Sequence, residues 1–476
     1  MSKYLLLTVI LIPVVMSVFV YRLKSEKAIR IVTFGTVMVT SILMWALMFK
    51  GVEGSYDVLR FTNKLVLSLN LDGLGKFFAG IVSLLWPLTT LYAFEYLEHD
   101  ERLNTFFLFF LMAYGVTLGV ALSNDFFTLY MFYELLTLST MPLVFFTKTV
   151  EATRAARVYL ALSIGGAAFG FGSMMYQIMN PEMEKGFLTS LFYLFGFFGF
   201  GVKAAVFPLH IWLPKASCAP TPVTALLHAV AVVKAGVFAI VRLTYFGYGV
   251  EVLKGTFAQY IPLCFVIFTI VYGSSMALKE IHFKRRMAYS TVANLSYILF
   301  GVLLMNERGL TAGLLHMAFH AGFKILGFFC VGAFMHKTHR EYVMDLDGAG
   351  YKMPITFGCY TIAALALTGI PPFTGFISKY MLLDGAVKTA SPLAYAGFAA
   401  ILISALLTAI YSLTPVRRAF FPDRNADLSV HENTHEAGPL MCVPMVILAV
   451  SIIVLGLNCQ PLIDVIEVIV TNNIVW

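Results

Sequence analysis

Eight ionisable side chains lie where the sequence offers little that is polar around them: Glu134, Lys203, His228, Lys234, His316, His320, Lys324 and Lys379. Amines, imidazoles and a carboxylate take up and release protons, and a charge at the centre of a membrane span costs about 2.5–3.5 kcal/mol on insertion scales. So many such costs in one chain demand a compensating role, and a proton or cation relay is the chemistry these groups can do. The cleanest pattern is LLHMAFHAGFKILGFF, which sets His316, His320 and Lys324 at i, i+4 and i+8, a single helical stripe about 12 Å long. In NDFFTLYMFYELLTLSTMPL, Glu134 lies well inside the boundary marked by Asp125, with no local cation to neutralise it. His228 and Lys234 in ALLHAVAVVKAG are six residues apart. That is about 240° around a regular helix, which predicts that they point to different faces.

The elements that must position these groups are apolar throughout. The chain has 476 residues, 59% hydrophobic and 12% charged, against about 25% charged in soluble proteins. Its formal net charge of +7 is mild and dispersed, which argues against a nucleic-acid partner. Lipid is the expected solvent. Six cysteines stand far apart without a CxxC pair, so neither a metal site, a cofactor on this chain nor a disulfide framework is expected. Residues 4–21 have spanning length and read as a retained first helix rather than a cleavable leader. Further apolar stretches near 29–49, 74–97, 104–122, 125–147, 155–179, 187–214, 221–246, 258–278, 287–305, 309–335, 354–383, 393–421 and 439–457 bring the expectation to about fourteen transmembrane helices in an all-α integral membrane protein.

Two spans should be broken. GVKAAVFPLHIWLP in span 7 carries Pro208 and Pro214, and GIPPFTGFISKY in span 12 carries Pro371 and Pro372; proline removes a backbone donor and clashes with the preceding turn. Unwound backbone at membrane depth is tolerated only inside protein or beside water. The breaks lie five spans apart, and an odd number of crossings reverses direction. Spans 4–8 and 9–13 are therefore expected to be two inverted five-helix repeats. The implied divisions are 1–100, 101–250, 251–421, and 422–476 with a polar connection and span 14. The loops after odd-numbered spans hold the larger share of Lys and Arg, which places both termini outside a prokaryotic cell membrane.

Blander readings compete. Lys76 and Arg242 fit snorkelling or structural bridging. A bis-histidine haem needs a second facing pair, which is not found. His431 and His435 form H-x-x-x-H in a polar loop, where solvation is the expectation.

The run from GVKAAVFPLHIWLP through APTPVTALLHAVAVVKAG, FKRRMAYSTVANLSYILFG, LLHMAFHAGFKILGFF and GIPPFTGFISKY resembles the antiporter-like membrane subunits. These include the large subunits of Mrp-type cation/proton antiporters and the proton-pumping subunits of complex I, membrane-bound hydrogenases and sulfane sulfur reductases. The resemblance covers roughly 100–420. It implies that Lys203 pairs with Glu134, that Lys234 with His228 and Lys324 with His316 and His320 continue a relay, and that Lys379 is the terminal site. Lys284 falls in the matching loop before span 10. The implied function is translocation of H⁺ and/or Na⁺ within a multisubunit membrane complex, driven by a redox partner or an ion gradient, with the chemistry of catalysis residing elsewhere. The competing classes are a non-translocating scaffold subunit and a stand-alone solute carrier.

Overall fold

The structure, a computed structural model, describes residues 2–52, 54–423 and 427–473; residues 424–426 of the polar connection lie outside them. α1 (Ser2–Arg22) and α2 (Glu26–Lys50) lead to a hairpin of β1 (Tyr56–Arg60) and β2 (Val66–Leu69), then α3 (Gly73–Tyr96). The first five-span unit comprises α4 (Leu103–Ala121), α5 (Phe126–Val144), α6 (Val150–Met179), α7 (Phe187–Gly201) with the short α8 (Trp212–Lys215), and α9 (Thr221–Ala229) with α10 (Val232–Val241). After α11 (Val250–Leu253), the second comprises α12 (Phe257–Lys279), α13 (Phe283–Leu303), α14 (Glu307–Thr338), then α15 (Ala349–Lys352) and α16 (Pro354–Thr368) with α17 (Thr374–Thr389), and α18 (Pro392–Phe420). α19 (Pro439–Leu457) and α20 (Gln460–Asn473) complete the described chain.

Among the described residues, eleven helices are long and apolar enough to cross a membrane. α7 and α16 are short because their spans are broken, as predicted. α13 has spanning length but is polar for its place, carrying buried Lys284, Arg286, Ser290 and Asn294. Together these give fourteen membrane segments among the described residues, ten of them in the two five-span units.

Helix starts follow local chemistry. Asp72, Asp125, Thr149 and Asn306 each accept a hydrogen bond from the backbone N–H three residues on, satisfying donors that a first turn leaves free. The hairpin was not anticipated, because its strands are short and carry charge. It is stapled to the start of α5: Ser68 N donates to Thr128 Oγ1 at 2.8 Å, and Ser68 Oγ to Asp125 Oδ2 at 2.5 Å.

The segment Thr221–Tyr248 is buried throughout its most apolar window and α14 nearly so, whereas α1 and α18 turn most of theirs outward. Spans 8 and 11 are therefore the centre of the bundle. α19 is fixed at both ends. The Glu95 carboxylate of α3 accepts from Gly438 N at 2.5 Å and Met441 N at 3.1 Å, which favours a helix N-terminus. At the other end Gly456 packs on the span-12 break, where a Cβ would sit 2.2 Å from the Pro372 carbonyl oxygen and 3.1 Å from Phe373 Cα.

Backbone on that side cannot yield, so Gly456→Ala is expected to lower stability by about 1–3 kcal/mol through overpacking. Gly358→Ala, where a Cβ meets nothing within 4 Å, is the control that should leave stability unchanged or raised. Thermal unfolding of the two purified variants in detergent checks this, and equal melting temperatures would contradict the clamp.

Candidate functional site

The break in span 7 begins where α7 ends at Gly201 and runs to Pro208. Its freed backbone groups are satisfied from outside the helix: Trp212 Nε1 donates to Val202 O at 2.7 Å, and Phe207 N donates to Thr269 Oγ1 of α12 at 3.1 Å. Pro214 lies beyond the break, inside α8. Lys203 sits in the break, fully buried. Its amine donates to the Tyr133 carbonyl of α5 and lies 3.3 Å from the centroid of the Tyr133 ring, a carbonyl and a π face together stabilising a cation.

Glu134 is the next residue along α5. It is half-buried, and among the described residues its buried Oε1 has no hydrogen-bond partner. The pairing implied by resemblance is thus not a direct contact: among the described residues no ion pair within 4 Å joins Glu134 to Lys203, although each feels the other's charge. The ammonium takes the fixed carbonyl and ring in place of the neighbouring carboxylate.

Span 8 also breaks, which no proline or glycine signalled. Val230 N and Ala231 N both reach back to Leu226 O, at 3.0 and 2.8 Å, an extra residue in one turn that offsets the helix beyond it. Six residues therefore do not separate His228 and Lys234 by 240°, and the expectation that they diverge is corrected. The His228 ring lies 4.9 Å from the Phe328 ring, and Lys234 Nζ lies 2.8 Å from His320 Nδ1, both on α14. α10 in turn rests on the first break, since a Cβ at Gly236 would stand 2.5 Å from Ala204 N and 2.9 Å from Lys203 Cβ.

The stripe on α14 is as the spacing predicted, but its members face different neighbours. His316 Nδ1 lies 2.9 Å from Ser378 Oγ on α17, and its Nε2 lies 3.2 Å from Asn294 Oδ1 on α13. With the carbonyl oxygen of Asn294 as acceptor, His316 carries its proton on Nε2 and accepts from Ser378. Lys324 donates to Met287 O at 3.1 Å and to Ser290 Oγ, both on α13. Lys379 folds back across the span-12 break, donating to Leu367 O at 2.7 Å and Thr368 O at 2.8 Å. Those are the last carbonyls of α16, which ends at Gly369 with φ 87°; helix C-termini leave such carbonyls free and attract cations. Pro371 and Pro372 form the turn between α16 and α17.

All eight predicted side chains thus fall along one band through the middle of the bundle, six of them fully buried and Lys379 nearly so. Spacing alone could not reveal Tyr133, Ser290, Asn294 and Ser378, which contact groups on other segments, nor Trp212, which closes the break within its own span. Lys284 is also buried and donates to Ala219 O at 3.0 Å, on the wall of a cleft of about 580 Å³ shared with Cys218, Pro220, His99 and Glu341. Arg242 neither snorkels nor stands alone: it makes a bidentate pair with Asp72, Nη2 to Oδ1 at 2.7 Å. His431 is buried rather than solvated, with Nε2 2.8 Å from Asp345 O.

Residues 123–408 match the family model described as NADH:quinone oxidoreductase/Mrp antiporter, transmembrane. A protein named Na(+)/H(+) antiporter subunit A1 from Staphylococcus aureus (strain JH9) is 31% identical over 423 residues, covering 82% of this chain and 52% of that protein. Its counterpart in strain Newman is 30% identical with the same coverage. The chain spans about half the length of these curated relatives. Among solved structures, a chain of the Mrp complex from Dietzia sp. DQ12-45-1b superposes with a TM-score of 0.86 at 19% identity, covering 99% of this chain and 97% of that one. A chain of the membrane-bound sulfane sulfur reductase, an archaeal respiratory membrane complex, gives 0.84 at 22% identity with 98% of each covered. At these identities the superpositions establish the fold.

The Asp72–Arg242 pair generates a stability prediction. Asp72→Asn keeps an oxygen for the Gly75 N–H but leaves a buried guanidinium without its counterion, at a cost of about 3 kcal/mol. Adding Arg242→Leu should recover more than half of that. Thermal melts of the single and double variants measure the difference, and a single variant as stable as the parent would count against the pair.

Proposed function

Because the chain belongs to the NADH:quinone oxidoreductase/Mrp antiporter family of membrane proteins, we propose that it is an ion-translocating subunit of a multisubunit membrane complex. It moves H⁺ and/or Na⁺ along its buried amines and imidazoles. The observation that carries this reading is the continuity of the band: Lys203 in the first break, Lys234 against His320, His316 against Ser378, and Lys379 on the carbonyls of the second break.

Proton affinity is the working variable. A carboxylate beside an amine favours the ammonium, and its withdrawal from a site of low dielectric favours release. Glu134, with one oxygen unpartnered, is the element free to approach or leave Lys203. A proton released there passes by way of His228 and Lys234 to His320. The Lys234–His320 contact holds one proton between an amine and an imidazole nitrogen, so it transfers charge by a shift of about one bond length rather than by moving a side chain. Lys379, beside the second break, exchanges with the far side. The two breaks admit water to opposite half-channels, as in other inverted-repeat transporters.

The driving energy comes from partner subunits, either as an ion gradient or through a redox arm. The chain sits in the cytoplasmic membrane of a prokaryote with both termini outside. A scaffold role fits less well, because structural bracing alone does not need buried amines on four segments, spans 7, 8, 11 and 12.

Glu134→Ala and Lys324→Ala should each abolish ion-gradient coupling while the complex still assembles. The measurement is cation-induced collapse of a preformed pH gradient in everted vesicles carrying the whole complex, with assembly followed by native electrophoresis. Normal coupling in both variants would overturn the relay.

A further inference from the structure

The hydrogen bonds of Lys324 do not follow the imidazoles. Lys234 leads to His320 and His316 leads to Ser378, but Lys324 leads to α13. From there a row of hydroxyls continues on α18. That helix presents Leu402, Ile403, Leu406 and Ile410 outward, yet its inner face carries Ser404, Thr408, Tyr411 and Ser412, all fully buried or nearly so.

We propose that this hydroxyl face is a second proton path, joining Lys324 directly to Lys379 and running beside the histidines of α14. The inference rests on the relay reading above. Ser290, which accepts from the Lys324 amine and donates to Met287 O at 2.9 Å, faces the Tyr411 hydroxyl. Thr408 Oγ1 lies 3.1 Å from that hydroxyl. One turn along α18, Ser412 Oγ lies 3.0 Å from Thr368 Oγ1, and the Thr368 carbonyl holds the Lys379 amine at 2.8 Å. The step between Thr408 and Ser412 is a single helical turn of about 5.4 Å, a distance one bridging water spans.

Hydroxyls suit the task because each can accept and donate at once. The Lys324 ammonium gives a proton to Ser290 Oγ, Ser290 turns its own from Met287 O to Tyr411, and each later hydroxyl does likewise. The Thr368 hydroxyl, whose carbonyl neighbour has no proton to give, delivers the last one through a bridging water to the neutral Lys379 amine. Lys324 ends as the neutral amine and Lys379 as the ammonium, with no hydroxyl left charged and nothing oxidised or reduced. A purely structural role is the competing account, since Thr408 and Ser412 also donate to carbonyls one turn back, at 2.6 and 2.7 Å, a common resting place for such side chains in helices. That role explains neither the buried hydroxyl of Tyr411 nor the links from this face to α13 and α16.

The test uses the whole complex in everted vesicles. Thr408→Val preserves shape without the hydroxyl, and Tyr411→Phe removes only an oxygen. Together they should lower ion-coupled proton flux about tenfold, on the scale of losing one positioned proton-transfer group, while Thr408→Ser stays near the parent. Parental flux in the double variant overturns the path, as does Thr408→Ser falling as far as Thr408→Val. If the double variant fails to assemble, Tyr411→Phe alone decides by the same criterion. Lys324→Ala is measured in parallel: inactivity there with full flux in the double variant discards this path and keeps the relay, whereas full activity in Lys324→Ala discards both.

Discussion

An ammonium in the membrane interior must find a lone pair, and the four buried amines of the band find theirs on a backbone carbonyl, a hydroxyl or an imidazole. Lys203 uses a carbonyl of α5, Lys324 a carbonyl and a serine of α13, Lys379 the frayed end of α16, and Lys234 the lone pair of an imidazole. None of these acceptors is a carboxylate within ion-pair distance. A tight salt bridge would hold a proton too firmly to pass it on, whereas a carbonyl or imidazole stabilises the charged form modestly and leaves the neutral form tolerable. The second break follows from the same need, since the carbonyls left free at the end of α16 are the ones that hold Lys379.

The two units solve the problem differently. In the first, the lysine lies in the unwound stretch and reaches across to an intact neighbour, while the stretch itself is sealed by an indole and a threonine. In the second, the lysine lies on the helix after the break and reaches back to the helix before it. Between them, α10 packs on the first break and offers Lys234 to α14, so the centre of the band is built from the best-buried segments of the molecule.

Much of this was legible from spacing and composition. The stripe on α14 could be read because that helix is regular, and the breaks in spans 7 and 12 because proline leaves no choice. The places of His228 and Lys234 could not be read. Their helix is offset at Val230 and Ala231, residues of ordinary helical character, and the distortion is set by what α14 and the first break require of either side. Asp72 escaped notice for a related reason. It lies 170 residues from Arg242 in a connection, and the only trace in the sequence was that an arginine at a membrane boundary needed an anion. The acceptors of Lys203 and Lys324 belong to packing between segments, which single-helix periodicity does not encode.

The fastening of α19 has a mechanical corollary. With one end held by a carboxylate from α3 and the other seated on the Pro372 carbonyl, this helix acts as a splint across the second interruption. On the proposed transport reading, alternating exposure on that half comes from the swing of a long, flexible amine rather than from flexing of the main chain, which makes the far exit a valve with one moving part.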